Sequence, residues 1–453
     1  MNGHLPKKGM QKAMNERLWQ KIESQEISDT HEHIISSREL KKHKRGLIEL
    51  LGEAYLHDDM ISAGAKDEMF SPRYEDEERW KMLRPYLDSV KNTTYYRCLI
   101  KALNDLFDIN VKEIDDSNWK ELNDLLYKSA ASGREWYEYV LRGKANIRYC
   151  MLDMDRTMDS EVSDWKEKGL PSIKDTIFEK EFFERVARID PLTHVVYYDT
   201  RAELEKIYSL TIKDVDALDA LMELFLQKSE ENGVVSYKSV AAYFRTLDIE
   251  ECERDRADKN LKNVLQGIDC DREKLEIQNY MIHYLVRRAG EKGMPFQFHT
   301  GMQALNENTI RNSDPLKLNP LFLKYGDNKF TMLHGGYPFC REAGVVAKKF
   351  PNVYLDFSWL PQIGYAAAKQ AAKEWFDLVP MNKMTWGGDC RHVENSYSAV
   401  LLFRRLMYEV LSEKIKDNYL SEEIAEHMVE KIMYKNAVEI YALSEKPTGT
   451  EER

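Results

Sequence analysis

From residue 146 onward, short runs rich in β-branched, aromatic and apolar residues alternate with stretches of helical spacing, and this rhythm restricts the fold more than any other feature. The runs cover 146–152, 194–198, 234–240, 295–301, 329–336, 352–359 and 384–389, and an eighth at 27–34 precedes them. Strands that alternate with helices pair in parallel through right-handed crossovers, and eight such units can close into a barrel. The expected class is therefore α/β, as a TIM (β/α)8 barrel. An open doubly wound sheet is the rival, but no glycine-rich dinucleotide turn follows the first run.

Two long segments lie outside the rhythm. Residues 36–145 read as helix throughout, including Trp80-Lys81-Met82-Leu83-Arg84-Pro85-Tyr86-Leu87 and 95–106. That is too long for a loop, so it is expected to be a large helical insertion, or cap, after strand 1. Residues 393–443 predict two amphipathic C-terminal helices, with Leu401, Leu402, Leu406 and Val410 on one side of the first. A leading helix is expected over 7–25, where Met10, Met14, Leu18 and Ile22 keep helical spacing. Residues 445–453 are polar and expected to be loose. With no Pro- or Ser-rich linker, 1–453 reads as one domain with these elaborations.

The balance of charge argues against nucleic acid. The net charge is −11 and basic residues are interspersed with acidic ones, whereas phosphate binding needs clustered Lys and Arg. A small-molecule substrate is the expected partner, and a helix-rich insertion suggests a subunit contact, hence a homo-oligomer. The six cysteines are scattered with no CxxC pair, which suits reduced thiols in the cytoplasm. Residues 1–25 lack the apolar centre of a signal peptide and no run of 18 apolar residues occurs, so no membrane association is expected.

The first run reads Ile27-Ser28-Asp29-Thr30-His31-Glu32-His33-Ile34. On a strand, His31 and His33 project from the same face, and that spacing can put two imidazoles on one metal. Later runs end at His299, His334 and Asp389, and strand C-termini form the active face of a β/α barrel. His31, His33, His299 and Asp389 would make a nitrogen- and oxygen-rich site with room for water, the pattern of a catalytic zinc. Metal-bound water loses a proton near neutral pH, and Asp389 would accept it and later pass it to a leaving group. His334 suits either a further ligand or a donor that polarises the substrate, and the second role is preferred. Were His31 and His33 ordinary buried imidazoles, four titratable groups at one rim would lack a role.

Lys238 ends the fourth run, and three roles are open to it: pairing with a substrate carboxylate, carrying a carbamate that bridges two metals, or a structural ion pair. Of the two functional roles the first is preferred, because an unmodified lysine is positively charged and needs no extra chemistry. Arg341 and Arg391 lie just past the sixth and eighth runs, where a guanidinium could grip a substrate carboxylate, with Tyr337 and His392 beside them. A surface or helix-capping role is the alternative for each. Trp359 and Trp386 line the pocket or fill the core. His43, His57, His194, His283 and His427 read as structural or solvated, although His57-Asp58-Asp59 falls where the insertion could reach over the pocket.

Asp29-Thr30-His31-Glu32-His33, Gln297-Phe298-His299-Thr300-Gly301, Leu333-His334-Gly335-Gly336-Tyr337-Pro338 with Arg341-Glu342-Ala343, Asn352-Val353-Tyr354-Leu355-Asp356 and Gly387-Gly388-Asp389 together resemble the amidohydrolase superfamily. Within it the chain is most similar to the amidohydrolase-2 group, in particular FluG-like and nodulin-like amidohydrolase domains, and Tyr434-Lys435-Asn436-Ala437 resembles that group's terminal helix. The likeness runs from 27 to 443 and is poor across the insertion, whose position also resembles that in uronate isomerases. The resemblance implies a distorted TIM barrel and a divalent metal, zinc or else manganese, held by His31, His33, His299 and Asp389. By the same analogy His334 is a pocket residue and not a ligand.

The expected activity is a metal-dependent hydrolase using metal-activated water on a small carboxylated amide or lactone. Alternatives are a lyase or isomerase acting on a small acid, decarboxylase- or uronate isomerase-like, and an inactive protein that binds a metabolite. Fold and metal do not by themselves fix the reaction.

Overall fold

The structure, a computed structural model, describes residues 8–42, 45–52, 55–153, 179–306 and 308–444, without side chains at 8–15, 39 and 42. The tail 445–453 and His43 lie outside the described residues. Eight strands pair in sequence order: β1 (Ile27–Glu32), β2 (Ile147–Asp153), β3 (Phe183–Arg188), β4 (Val234–Ser239), β5 (Phe296–His299), β6 (Phe330–Leu333), β7 (Val353–Asp356) and β8 (Met384–Thr385). All neighbours are parallel. A bridge between Asp29 and Trp386, with Thr30 N donating to Trp386 O at 3.1 Å, joins the last strand to the first. The result is a nearly closed, distorted TIM barrel.

The third strand corrects the sequence reading. Residues 194–198, rich in β-branched and aromatic side chains, are not a strand. Asp190–Thr193 is a short helix with proline in its first turn, and His194–Val196 continues it as a tight turn that buries Val195 and Val196. The strand lies earlier, in Phe183–Arg188, where Glu184, Arg185 and Arg188 interrupt the apolar pattern.

The stretch after β1 carries helices and no strand among its described residues, including Tyr55–Ser62, Asp76–Ser89, Thr94–Phe107 and Trp119–Ser132. These helices share a core of their own, with Leu51, Trp80, Leu83, Leu103 and Trp119 in contact. Burying one apolar stripe each against the others is what holds such helices, since short helices are marginal in water alone. At the far end, Val393–Lys416 and Glu422–Glu430 lean on the barrel, with Leu406 and Val410 fully buried and Leu401 and Leu402 half-buried. The leading helix spans Lys8–Ser24 and buries Leu18 and Ile22.

The barrel interior is polar near the site. Thr30 Oγ1 and Thr385 Oγ1 both donate to Asp356 Oδ2, at 2.6 and 2.5 Å, and Ser358 N donates to Asp356 Oδ1 at 2.6 Å. Tyr441 reaches in from the C-terminal segment, donating to Thr331 Oγ1 at 2.9 Å and accepting from Gln297 Nε2 at 3.0 Å. Buried polar groups satisfied in this way fix a unique packing of strands. Asn436 donates through Nδ2 to the carbonyls of Met381 and Met384, both at 2.7 Å, which anchors the last helix to β8. Among the described residues no helix is long and apolar enough to cross a membrane.

Candidate metal centre

Alternation along β1 and its extension places His31 and His33 on one face. Nε2 of each lies 3.2 Å from Oδ1 of Asp389, just past β8, and the two rings sit 4.7 Å apart. His334, just past β6, brings Nδ1 to 3.5 Å from the other oxygen, Oδ2. Four of the residues expected at one rim therefore meet. His31, His334 and Asp389 are fully buried, while His33 retains some exposure toward the mouth.

His299 lies beside them, its ring 4.2 Å from that of His334, but its Nε2 faces the Met302 carbonyl at 2.9 Å. The tightest donor groups are instead His31, His334 and Asp389, and His31, His33 and Asp153, each with ligand atoms within 4.8 Å of one another. Asp153 escaped the sequence reading although it ends β2, where the strand-end rule would have found it.

Lys238 is completely buried. Its Nζ lies 2.8 Å from His31 Nε2 and 3.0 Å from Asp153 Oδ2, and Arg188 Nη2 reaches the same carboxylate oxygen at 2.6 Å. The lysine thus occupies the structural ion pair that the sequence left open as one of its roles. Arg341 stands on the outer surface, gripping Glu374 through two bonds of 2.8 and 2.9 Å. Arg391 is exposed, and its charge and that of Arg188 both act on the Tyr243 hydroxyl. Tyr337 is half-buried, its carbonyl accepting from Met302 N at 2.5 Å. Trp386 stacks on Phe403 in the core, 5.2 Å between rings.

The insertion supplies what no barrel motif announced. Tyr55 donates its hydroxyl to Asp389 Oδ2 at 2.6 Å and stacks on Trp359 with centroids 4.0 Å apart. Trp359 also faces His334 edge-on at 5.5 Å and donates its indole N–H to the hydroxyl of Tyr95. Tyr243, after β4, packs against His299 at 4.7 Å and accepts from Ala304 N at 2.9 Å. Asp58, flagged in the sequence as able to reach over the pocket, accepts from Leu305 N at 2.7 Å.

Burial dominates the electrostatics. It lowers the pKa of His31, with the Lys238 charge adding to it, and takes His33 and His299 down to about 3. At neutral pH these imidazoles are neutral, the form that ligates metals. Burial opposes ionisation of Asp389 too, but the surrounding imidazoles outweigh it and hold the carboxyl well below the usual range. Asp153 is likewise kept ionised against its burial by Arg188 and Lys238. Behind the site, burial pushes Asp29 up to about 7 and holds Glu32 well above the usual carboxylate range, where the neighbouring Asp29 charge adds to it.

These residues fit a divalent cation. The donors are imidazoles and a carboxylate whose ligand atoms lie within 4.8 Å of one another.

The amidohydrolase family model matches residues 250–443. Protein fluG of Emericella nidulans is 24% identical over 255 residues, 52% of this chain but only 29% of that protein, so the match spans less than a third of the relative's length. Among solved structures, uronate isomerase from Thermotoga maritima superposes with a TM-score of 0.75 at 16% identity, over 95% of this chain and 97% of that one. Glucuronate isomerase from Caulobacter crescentus gives 0.75 at 13% identity, over 100% and 99%. A Lactobacillus casei protein provisionally assigned as a metal-dependent hydrolase gives 0.65 at 18% identity, over 94% and 97%. At these identities the three structures speak to the fold alone.

Proposed function

We propose that the chain is a member of the amidohydrolase superfamily, whose family model matches residues 250–443, and that it is a metal-dependent hydrolase acting on a small carboxylated molecule, a lactone or an amide. The observation that carries this reading is the ionised Asp389, with two β1 imidazoles against one carboxylate oxygen and the Tyr55 phenol on the other. His31 and Asp389 would hold the ion, with His33 or His334 as the further nitrogen donor. Zinc suits this donor set best, and manganese is the alternative. When bound, such an ion lowers the pKa of a coordinated water and polarises a carbonyl.

The remaining chemistry falls to the chain's own groups. Asp389, ionised at neutral pH, takes a proton at one carboxylate oxygen and returns it to the leaving group, while Tyr55 orients the other oxygen. His334, its ring wedged between His299 and Trp359, offers an N–H to a substrate oxygen. Arg391, exposed and two residues past Asp389, would meet a substrate carboxylate. Trp359 and Tyr55 exclude water from one wall.

A second reading, isomerisation of a uronate, draws support from the fold shared with two isomerases along nearly the whole chain and from a tyrosine brought to the carboxylate by the insertion. Turnover in water enriched in oxygen-18 separates the two. Hydrolysis of a lactone or amide leaves the label in the new carboxylate, and a proton shift does not. Screening the zinc- and manganese-loaded protein against lactones, amides and uronates supplies the substrate. Asp389→Asn should then abolish turnover with the fold intact, and a variant as active as the parent would remove Asp389 from the mechanism.

A further inference from the structure

Asp389 adopts a left-handed backbone, with φ at 55°, which is uncommon for a residue with a side chain and needs support from its surroundings. That support comes from β1. Asp389 N donates to the carbonyl of His31 at 2.7 Å, and His33 N donates to the carbonyl of Cys390 at 2.9 Å, so the chain past β8 runs alongside β1 beyond the last ladder pair.

Two buried carboxyls complete the grip. Gly388 N donates to Asp29 Oδ1 at 3.0 Å, and Cys390 N donates to Glu32 Oε2. The amides on either side of Asp389 are thus each held by a β1 side chain, while its own amide is held by the β1 backbone. Asp29 and Glu32 have no exposed surface and their side chains hydrogen-bond each other, with Ser396 also bonding Glu32; the oxygens that do not accept from the 388 and 390 amides are Asp29 Oδ2 and Glu32 Oε1. Both of those oxygens face Gly388: a Cβ there would sit 2.1 Å from Glu32 Oε1 and 3.2 Å from Asp29 Oδ2. Any larger residue at 388 would push the Glu32 carboxyl away.

Burying two carboxyls side by side is unfavourable, and ordinary backbone pairing would have served to dock a loop. We propose that Asp29 and Glu32 are positioning residues for Asp389, fixing the left-handed turn that aims its carboxylate at His31, His33 and Tyr55. The inference rests on the reading of Asp389 as the working carboxylate, and neither residue touches the substrate.

Cobalt(II) binding to the chelator-treated full chain and hydrogen exchange at the 388–390 amides test it together. Glu32→Ala should weaken cobalt binding by about 10- to 100-fold, as loss of an outer-shell partner does, alter the cobalt visible spectrum and speed exchange at Cys390 and Asp389. Glu32→Gln keeps an oxygen for Cys390 N and should stay within about threefold of the parent. Gly388→Ala should imitate Glu32→Ala, and the double variant should be no worse than either single one, because both changes remove the same contact. Parent-like cobalt binding and exchange in Glu32→Ala would overturn the proposal, and so would a Glu32→Gln as impaired as Glu32→Ala. Should Glu32→Ala fail to fold, Gly388→Ala and Glu32→Gln decide by the same criteria. A parent chain that binds no cobalt would instead remove the metal reading, and the exchange measurement would still judge the role of Glu32.

Discussion

The hydroxyl of Tyr55 donates to Oδ2 of Asp389 at 2.6 Å, so a residue of the helical insertion touches the carboxylate carried at the end of the eighth strand. The insertion therefore contributes a side chain to the candidate metal centre. Oδ1 faces the β1 histidines and Oδ2 faces the phenol, which gives the two oxygens of one carboxylate different environments.

Tyr55→Phe isolates that contact. The ring can still stack on Trp359, so the melting temperature should hardly move. A hydrogen bond to a charged group is worth about 1.5–3 kcal/mol, and losing it should lower kcat by about tenfold or more. Steady-state kinetics on the substrate identified by screening supply the check, and an unchanged kcat would reduce Tyr55 to a packing role.

Lys238 shares Asp153 with Arg188 in a buried cluster. Lys238→Met leaves the carboxylate with Arg188 as its cation among the described residues. The expected loss is about 3 kcal/mol of folding stability, the low end for breaking a buried ion pair because Arg188 remains. Urea unfolding measures it. A variant as stable as the parent would show that the amine's main partner is a substrate or a modification and not Asp153.

His194 makes the fold sensitive to acid at a distance from the metal centre. Burial lowers its pKa from 6.5 to about 4. The unfolded imidazole takes up a proton below about 6.5 while the folded one does so only near 4, so its contribution is complete above pH 6.5 and is lost as the pH falls toward 4. The loss is at most about 3 kcal/mol. His194→Phe keeps an aromatic ring against Phe244 and cannot titrate, so its stability should fall less than the parent's between pH 6.5 and 4. Parallel curves for the two proteins would contradict this.

The barrel could be read from the sequence because seven of its eight strands fall in the short strand-like runs that alternate with helical spacing, and strand ends then bring distant residues together without any knowledge of contacts. His31, His33, His334 and Asp389 followed from that rule alone. The third strand did not, since Arg185 and Arg188 broke its pattern while Val195 and Val196, buried in a turn, imitated a strand. That displacement also hid Arg188. Tyr55 left no local signal, because its role arises from a contact with a residue 334 positions away. Lys238 shows the converse: its place at a strand end was legible, but its partner Asp153 ends β2, on the far side of β3, and that meeting depended on how three strands align.

The central claim is that imidazoles from the first strand and the carboxylate after the eighth share one cation. Crystals of the zinc-loaded protein, measured on both sides of the zinc absorption edge, test it directly. The expected result is an anomalous peak about 2.0–2.2 Å from His31 and Asp389, with His33 or His334 completing the nitrogen donors. A loaded protein whose anomalous peak lies elsewhere, or which shows no peak between these side chains, would contradict it.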